Sequence, residues 1–169
     1  MFKWLKGKTQ AKIELLEVMA PLTGKVVPLE QVPDPAFAQK AMGEGIAIEP
    51  TEGKVVAPFD GKVAHLIEKS KHAVILEHAS GAQVLIHIGV NTVSLKGEGF
   101  KAHVSTGDEV KTGQLLIEFD MDAIQAAGYP VITPVLIPDG VDAIKSVEPL
   151  ENAGSVTAMS ETVLRVHLN

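Results

Sequence analysis

Short apolar runs separated by glycine, proline and aspartate constrain the fold of this chain more than any other feature. From Ile13 onward the runs are rich in β-branched residues and recur about every ten residues. They predict strands at 18–20, 24–27, 46–48, 54–56, 61–64, 74–76, 84–88, 114–119, 131–137 and 162–168. Many short strands joined by Gly/Pro turns predict an all-β fold, an antiparallel sandwich or barrel of the barrel-sandwich hybrid type.

Only two segments have the pattern of a helical turn. In the first, Asp34 can cap a turn that begins at Pro35 and stops at Gly43. This turn would place Phe37 and Ala41 on one face. Because the turn is brief, we expect the sheets to organise the fold.

The second helical turn is predicted over residues 121–127, with Asp120 as its cap and Gly128 as its end. Composition does not change along the body of the chain. We therefore predict a flexible basic and aromatic tail at residues 1–16 and one domain over residues 17–169.

The composition excludes several classes of function. The chain has 169 residues and no cysteine, which excludes disulfides, thiolate metal sites and cysteine nucleophiles. A net charge of −6 and an aromatic content of 4% argue against binding to nucleic acid. The sequence contains neither a long apolar run nor the pattern of a secretory signal, so we expect a cytoplasmic protein.

Charge is unevenly distributed between the N-terminal segment and the rest of the chain. Residues 1–12 contain Phe2, Trp4, Leu5 and four lysines without any acid, so the remaining chain holds 11 bases against 21 acids, a net of −10. Apolar rings among lysines can lie weakly on an anionic lipid surface, here the inner face of the cell membrane. A solvated chain terminus is the alternative interpretation.

One of the six histidines lies in an unusual place for an imidazole. His87 is inside a run of aliphatic residues that predicts a strand. Strand alternation puts Leu85, His87 and Gly89 on one face. Glycine at position 89 lets a partner's group approach and leaves a backbone carbonyl to orient one ring nitrogen. His87 is therefore the candidate nucleophile.

A second histidine can accompany it. His72 opens a strand that can pair next to the strand of His87, which would bring the two imidazoles within hydrogen-bonding reach. The other four histidines are predicted to have no catalytic role: His65, His78, His103 and His167.

Residues 81–100 resemble the active-site signature of the glucose-type enzyme IIA family of the bacterial sugar phosphotransferase system. The resemblance extends over nearly the whole chain after the tail. Further matching segments are 20–24, 32–34, 37–38, 43–48, 57–58, 60–61, 118–120, 133–135 and 154–156.

The resemblance implies a phosphocarrier. In the family, the small protein HPr donates a phosphoryl group to the histidine that matches His87, at Nε2, and the group then passes to a cysteine on the IIB domain of a membrane sugar permease. The histidine that matches His72 orients the phosphoryl group. A hydroxyl residue two places earlier, here Ser70, supports it. The chemistry needs an in-line nucleophile and donors that stabilise the charge on the phosphoryl oxygens.

The resemblance also implies a docking surface around the histidines. Family members ring them with exposed apolar residues, which match Phe37, Ala41, Met42, Leu85 and Val93. Acidic residues at the rim, here Asp34, meet arginines of HPr. The family often has aspartate where this chain has Asn91, so one charge for HPr is missing.

Three other functions are compatible with parts of the sequence. The turn 107–110 is typical of biotinyl or lipoyl carriers, although the Met-Lys-Met tripeptide common in such domains is absent. Facing histidines at 72 and 87 would suit a zinc hydrolase, or a zinc ion shared with a partner protein; the family binds zinc at such a junction, and we expect zinc not to be required. A module that regulates transporters or kinases through the same face is the third alternative.

Overall fold

The computed structural model describes residues 13–169, and most of the regular secondary structure in that range consists of short strands. The strands are β1 (Leu15–Met19), β2 (Gly24–Pro28), β3 (Gly43–Pro50), β4 (Lys54–Val56), β5 (Gly61–Leu66), β6 (Ala73–Glu77), β7 (Gln83–His87), β8 (Phe100–Ala102), β9 (Glu109–Val110), β10 (Leu115–Phe119), β11 (Thr133–Pro138), β12 (Ile144–Pro149), β13 (Ser155–Val156) and β14 (Thr162–Leu168). Between them lie helices α1 (Pro35–Ala38) and α2 (Met121–Ala126) and the 3₁₀ turns Leu29–Gln31 and Thr92–Leu95. Within this range no helix is long and apolar enough to cross a membrane.

The described strands pair into one large and two small sheets. The eight-stranded sheet has the order β9-β5-β6-β7-β11-β3-β2-β13, and the three-stranded sheets have the orders β4-β10-β8 and β12-β14-β1. All of these pairings are antiparallel. The predicted all-β antiparallel fold of the sandwich or barrel type with two short helical turns is confirmed.

The large sheet is covered by apolar side chains on both faces, and this places the histidines. Val84 and Ile86 of β7 belong to the main core cluster, which also contains residues of both small sheets. Leu85 belongs to a second apolar cluster on the other face, together with Phe37 and Leu136. Since side chains alternate along a strand, the side chain of His87 lies on the face of this second cluster.

Every predicted strand is found in the structure, but four strands within residues 13–169 were missed. These are Phe100–Ala102, Glu109–Val110, Ile144–Pro149 and Ser155–Val156. Glu109–Val110 lies within a segment that reads as a turn, and becomes a strand only because it pairs with Gly61 and Lys62. The missed strands are short or largely exposed, so their apolar patterns are weak.

The first helical turn is capped as predicted but ends earlier. The Asp34 side chain accepts a hydrogen bond from the backbone N–H of Ala36 at 3.0 Å. The stop predicted at Gly43 is wrong, since α1 ends at Ala38 and Gly43 begins β3. The chain turns instead at Lys40, which has a φ of 60°. Its ammonium group forms ion pairs with Glu30 and Glu44 at 3.4 and 3.1 Å, and these hold the turn.

The second helix and the start of the domain are close to expectation. Asp120 accepts a hydrogen bond from the backbone N–H of Ala123 at 3.0 Å and caps α2. Strand β1 begins at Leu15, two residues before the predicted domain boundary at residue 17, and Leu16 is already buried in the core. The predicted tail falls largely on residues 1–12, which lie outside the described residues.

Candidate functional site

The site is built around His87, the last residue of β7. This strand pairs with β6 on one side and with β11 on the other, and His87 lies opposite Ala73 of β6. The imidazole is half-buried, between the apolar cluster beneath the sheet and the surface. A strand in the middle of a sheet gives this side chain a rigid support.

A single hydrogen bond defines the protonation of the His87 ring. Nδ1 lies 2.9 Å from the carbonyl oxygen of Gly89. A carbonyl oxygen can only accept a hydrogen bond, so Nδ1 carries the proton. The lone pair of Nε2 is then free to act as a nucleophile. The backbone carbonyl that the sequence predicts beside the imidazole is therefore present.

His72 lies beside His87, immediately before β6, which pairs with the strand of His87 as the sequence predicts. The two ring centroids are 4.7 Å apart and the ring planes are nearly perpendicular, at 86°. Nδ1 of His72 is 2.6 Å from Oγ of Ser70, and both residues are buried. When the Ser70 hydroxyl donates to Nδ1, the proton of a neutral His72 lies on Nε2, which becomes a hydrogen-bond donor.

Burial keeps both imidazoles uncharged near neutral pH. Burial, assisted by the neighbouring His87, lowers the pKa of His72 to about 4. Burial also lowers the pKa of His87, although the hydrogen bond to Gly89 and the negative charge of Asp34 oppose the shift. A neutral His87 retains its nucleophilic lone pair.

The apolar residues around the histidines do not all lie on the surface. Ala41 is exposed, and Met42 and Val93 are exposed by 40% and 53%. The prediction that Phe37 and Leu85 are exposed is wrong, since they retain only 3% and 6% of their accessible surface. Both belong to the second apolar cluster beneath the site.

Phe37 nevertheless contacts the site from below. The centroid of its ring lies 4.8 Å from that of His87, with the planes tilted by 56°. The imidazole of His87 is thus packed against the rings of both Phe37 and His72. Such packing restricts rotation of the His87 ring.

The two polar residues predicted at the rim lie near the surface. Asp34 is half-buried, and its carboxylate is close enough to influence the pKa of His87. Asn91 is exposed and adopts the left-handed backbone conformation, with a φ of 62°. As the N-cap of the 3₁₀ turn Thr92–Leu95, it makes no side-chain capping hydrogen bond.

The histidine pair supplies two zinc ligands, fewer than the three that a catalytic zinc ion takes from its protein. Among residues 13–169, no three His, Cys, Asp or Glu side chains are grouped so that they could hold a metal ion. The donor set therefore does not fit a zinc hydrolase whose ligands all come from this part of the chain.

The sequence interpretation overlooked Thr92. This residue is fully buried, and its hydroxyl donates a hydrogen bond to the carbonyl oxygen of Ile88, next to Gly89. A threonine just after the aliphatic run is a weak signal, because threonine is equally common in exposed turns.

Comparisons with known proteins show the family of the chain. The family model described as phosphoenolpyruvate-dependent sugar phosphotransferase system, EIIA 1, matches residues 16–142. The protein named PTS system glucose-specific EIIA component of Oceanobacillus iheyensis is 45% identical over 168 residues, which are 98% of this chain and 99% of that protein. The protein of the same name from Staphylococcus epidermidis is 47% identical over 137 residues, covering 81% of this chain and 82% of the relative.

A solved structure has the same architecture. Glucose permease IIA from Mycoplasma capricolum matches with a TM-score of 0.79 and 30% sequence identity, covering 90% of this chain and 96% of that one. The comparisons give no support to a zinc hydrolase or to a biotinyl or lipoyl carrier. The chain belongs to the EIIA 1 family of the phosphoenolpyruvate-dependent sugar phosphotransferase system and is a phosphocarrier component of that system.

Proposed function

We propose that Nε2 of His87 accepts the phosphoryl group from phosphorylated HPr and passes it to a cysteine on the IIB domain of a sugar permease. The observation that carries this assignment is the hydrogen bond from Nδ1 to the Gly89 carbonyl, which leaves the lone pair on Nε2. The half-buried position at the end of β7 leaves the ring within reach of a docked protein.

The transfer requires one bond to form as another breaks. The lone pair of Nε2 attacks phosphorus, while the bond from phosphorus to the donor atom of HPr breaks and its electron pair returns to HPr. The proton on Nδ1 stays in its hydrogen bond to Gly89, which stabilises the positive charge that develops on the ring. In the second transfer, the cysteine sulfur attacks phosphorus and the electron pair of the P–N bond returns to His87.

His72 is assigned to hold the phosphoryl group. With Ser70 bound at Nδ1, its Nε2–H can donate to a phosphoryl oxygen placed between the two rings. A donor fixed before the reaction stabilises the charge that the oxygens carry in the transition state. Ser70 acts through His72, because its hydroxyl determines which nitrogen of that ring holds the proton.

The partners are proposed to dock on the surface around the histidines. Ala41, Met42 and Val93 provide exposed apolar area, and such area commonly marks protein-binding sites. Asp34 adds a negative charge next to it. The net charge of −10 on the chain after residue 12 would favour approach of the basic face of HPr.

Two further roles of this surface remain proposals. It could bind transporters or kinases that the protein regulates, using the same apolar residues. A zinc ion could lie at such an interface, held by His72, His87 and a carboxylate of the partner; phosphoryl transfer does not require it.

Contact with the membrane is proposed from the sequence alone. Trp4 and the lysines of residues 1–12 would adsorb weakly at the inner face of the cell membrane. We expect the fluorescence of Trp4 to shift on vesicles containing anionic lipid and not on neutral vesicles. An unchanged spectrum on both would rule out this role.

The phosphoryl site can be tested directly. The protein is incubated with enzyme I, HPr and phosphoenolpyruvate, and the acid-labile adduct is mapped by mass spectrometry. We expect the adduct on His87 and its loss in His87→Ala, whereas His65→Ala, at an exposed histidine on β5, serves as the matched control. Phosphate on another residue would refute the assignment.

The division of roles between the histidines has its own test. His72→Gln should still accept the phosphoryl group but pass it on slowly, because the nucleophile remains while the orienting donor changes. A variant that accepts none would show that His72 is needed for the first transfer as well.

A further inference from the structure

We propose that Thr92 is a positioning residue for phosphoryl transfer, whose hydroxyl fixes the peptide that aims the imidazole of His87. The inference rests on the proposed role of His87 as phosphoryl acceptor. Thr92 is the first residue of the 3₁₀ turn Thr92–Leu95 and has no accessible surface. It therefore cannot bind a partner protein directly, and its effect must pass through its neighbours.

The Thr92 hydroxyl holds the backbone immediately after the nucleophile. It donates a hydrogen bond to the carbonyl oxygen of Ile88. On the other side of the same residue, the N–H of Ile88 donates to the carbonyl oxygen of His72 at 2.7 Å. Both polar backbone groups of Ile88 are thus fixed, one by the turn and one by the residue that carries the second imidazole.

The methyl group of Thr92 restricts Gly89, the residue that follows Ile88. Gly89 has a φ of 74°, and a Cβ atom placed on it would lie 2.6 Å from Cγ2 of Thr92 and 2.7 Å from the carbonyl oxygen of Pro130. The Thr92 methyl and Pro130 occupy the space that a side chain at position 89 would need. The Gly89 peptide is therefore confined, and its carbonyl is directed at Nδ1 of His87.

These contacts form a chain from Thr92 to the nucleophile. The Thr92 hydroxyl holds the carbonyl of Ile88 and so orients the Ile88–Gly89 peptide. This peptide positions Gly89, whose carbonyl accepts the hydrogen bond from Nδ1 of His87. Loss of the hydroxyl would loosen the Ile88–Gly89 peptide and leave the Gly89 carbonyl held through the hydrogen bond from Val90 N–H to the Pro130 carbonyl oxygen, at 3.3 Å. The Gly89 carbonyl would then fix the tautomer and direction of the His87 ring less well. A small change in the direction of Nε2 slows phosphoryl transfer strongly, since the attacking nitrogen must lie in line with the bond that breaks.

A comparison of four proteins separates the effect of the Thr92 hydroxyl on transfer from the effect of its methyl group. The wild type and Thr92→Ser have the hydroxyl, whereas Thr92→Val and Thr92→Ala lack it; the wild type and the valine variant share the methyl group that the other two lack. Circular dichroism establishes which variants fold. If the valine variant is unfolded, the serine and alanine variants still show the effect of the hydroxyl, because both lack the methyl group.

Two measurements are made on each protein. The first is the rate of phosphoryl acceptance from phosphorylated HPr, where we expect a loss of about tenfold to hundredfold in kcat for valine against wild type and for alanine against serine. The KM for HPr should change little, because Thr92 is buried. The second is the ¹⁵N NMR spectrum of the His87 imidazole in the unphosphorylated protein. The Nδ1–H tautomer should dominate only when the hydroxyl is present.

The outcomes distinguish this inference from the function on which it rests. Rates that follow the methyl group, or the same His87 tautomer in all folded variants, would overturn the role of Thr92. Phosphate uptake by His87→Ala would instead overturn the assignment of the acceptor, and the tautomer measurement would still decide what Thr92 does to the ring.

Discussion

Replacing His72 with glutamine should make the protein less sensitive to acid. The buried imidazole of His72 has a pKa of about 4, against 6.5 for an ordinary histidine. Between these two values the unfolded chain binds a proton that the folded protein does not. The free energy of unfolding therefore falls as the pH falls from about 6.5 to about 4.

The size of the effect follows from the two pKa values. Above pH 7 His72 is neutral in both states and contributes nothing to the pH dependence. At pH 5 the linkage destabilises the folded protein by about 2 kcal/mol, and well below pH 4 the loss reaches about 3 kcal/mol. Glutamine does not titrate, so His72→Gln should lack this part of the loss.

The assay is equilibrium unfolding in urea, followed by circular dichroism at pH 7.5 and pH 5.0. Between these conditions we expect the wild type to lose about 2 kcal/mol more than His72→Gln. His65→Gln controls for the removal of an exposed imidazole. Parallel losses in the wild type and His72→Gln would refute the conclusion that burial keeps His72 neutral.

Three other changes test different parts of the site. Gly89→Ala forces a side chain into a left-handed position with its Cβ 2.7 Å from the Pro130 carbonyl; it should destabilise the protein by about 1–3 kcal/mol in urea unfolding and slow phosphorylation. Ser70→Ala removes the buried partner of His72 and should cost about 1–3 kcal/mol, measured in the same way, together with slower transfer to IIB. Val93→Lys, at an exposed position, should raise the KM for HPr about tenfold while changing the free energy of unfolding by less than about 0.5 kcal/mol; an unchanged KM would place the docking surface elsewhere.

The features that could be predicted from the sequence are those with local signals. Short apolar runs and turn residues locate the strands, because burial alternates along a strand and glycine or proline ends it. His87 can be found because an imidazole is unusual within such a run, and His72 because it immediately precedes the strand that pairs with that of His87. The caps Asp34 and Asp120 depend only on a carboxylate followed closely by backbone N–H groups.

What the sequence could not supply depends on contacts between distant segments. The resemblance to the family implies that Leu85 is exposed, yet its side chain is buried in a second apolar cluster on that face of the sheet. Strand Ile144–Pro149 has little burial of its own and is formed through its pairing with Thr162–Leu168. The role of Thr92 depends on its burial and on its hydrogen bond to the Ile88 carbonyl, which the residue type alone does not reveal.

The hydrogen bond between His87 and Gly89 joins two residues of the same short segment, so the ring is oriented from within the chain. If His87 is the phosphoryl acceptor, as proposed, the partner that loads it and the partner that unloads it would meet Nε2 at the same place. This contact would then need no rearrangement between the two steps. The direction of net transfer would be set by the phosphoryl-transfer potentials and the phosphorylated fractions of the two partners.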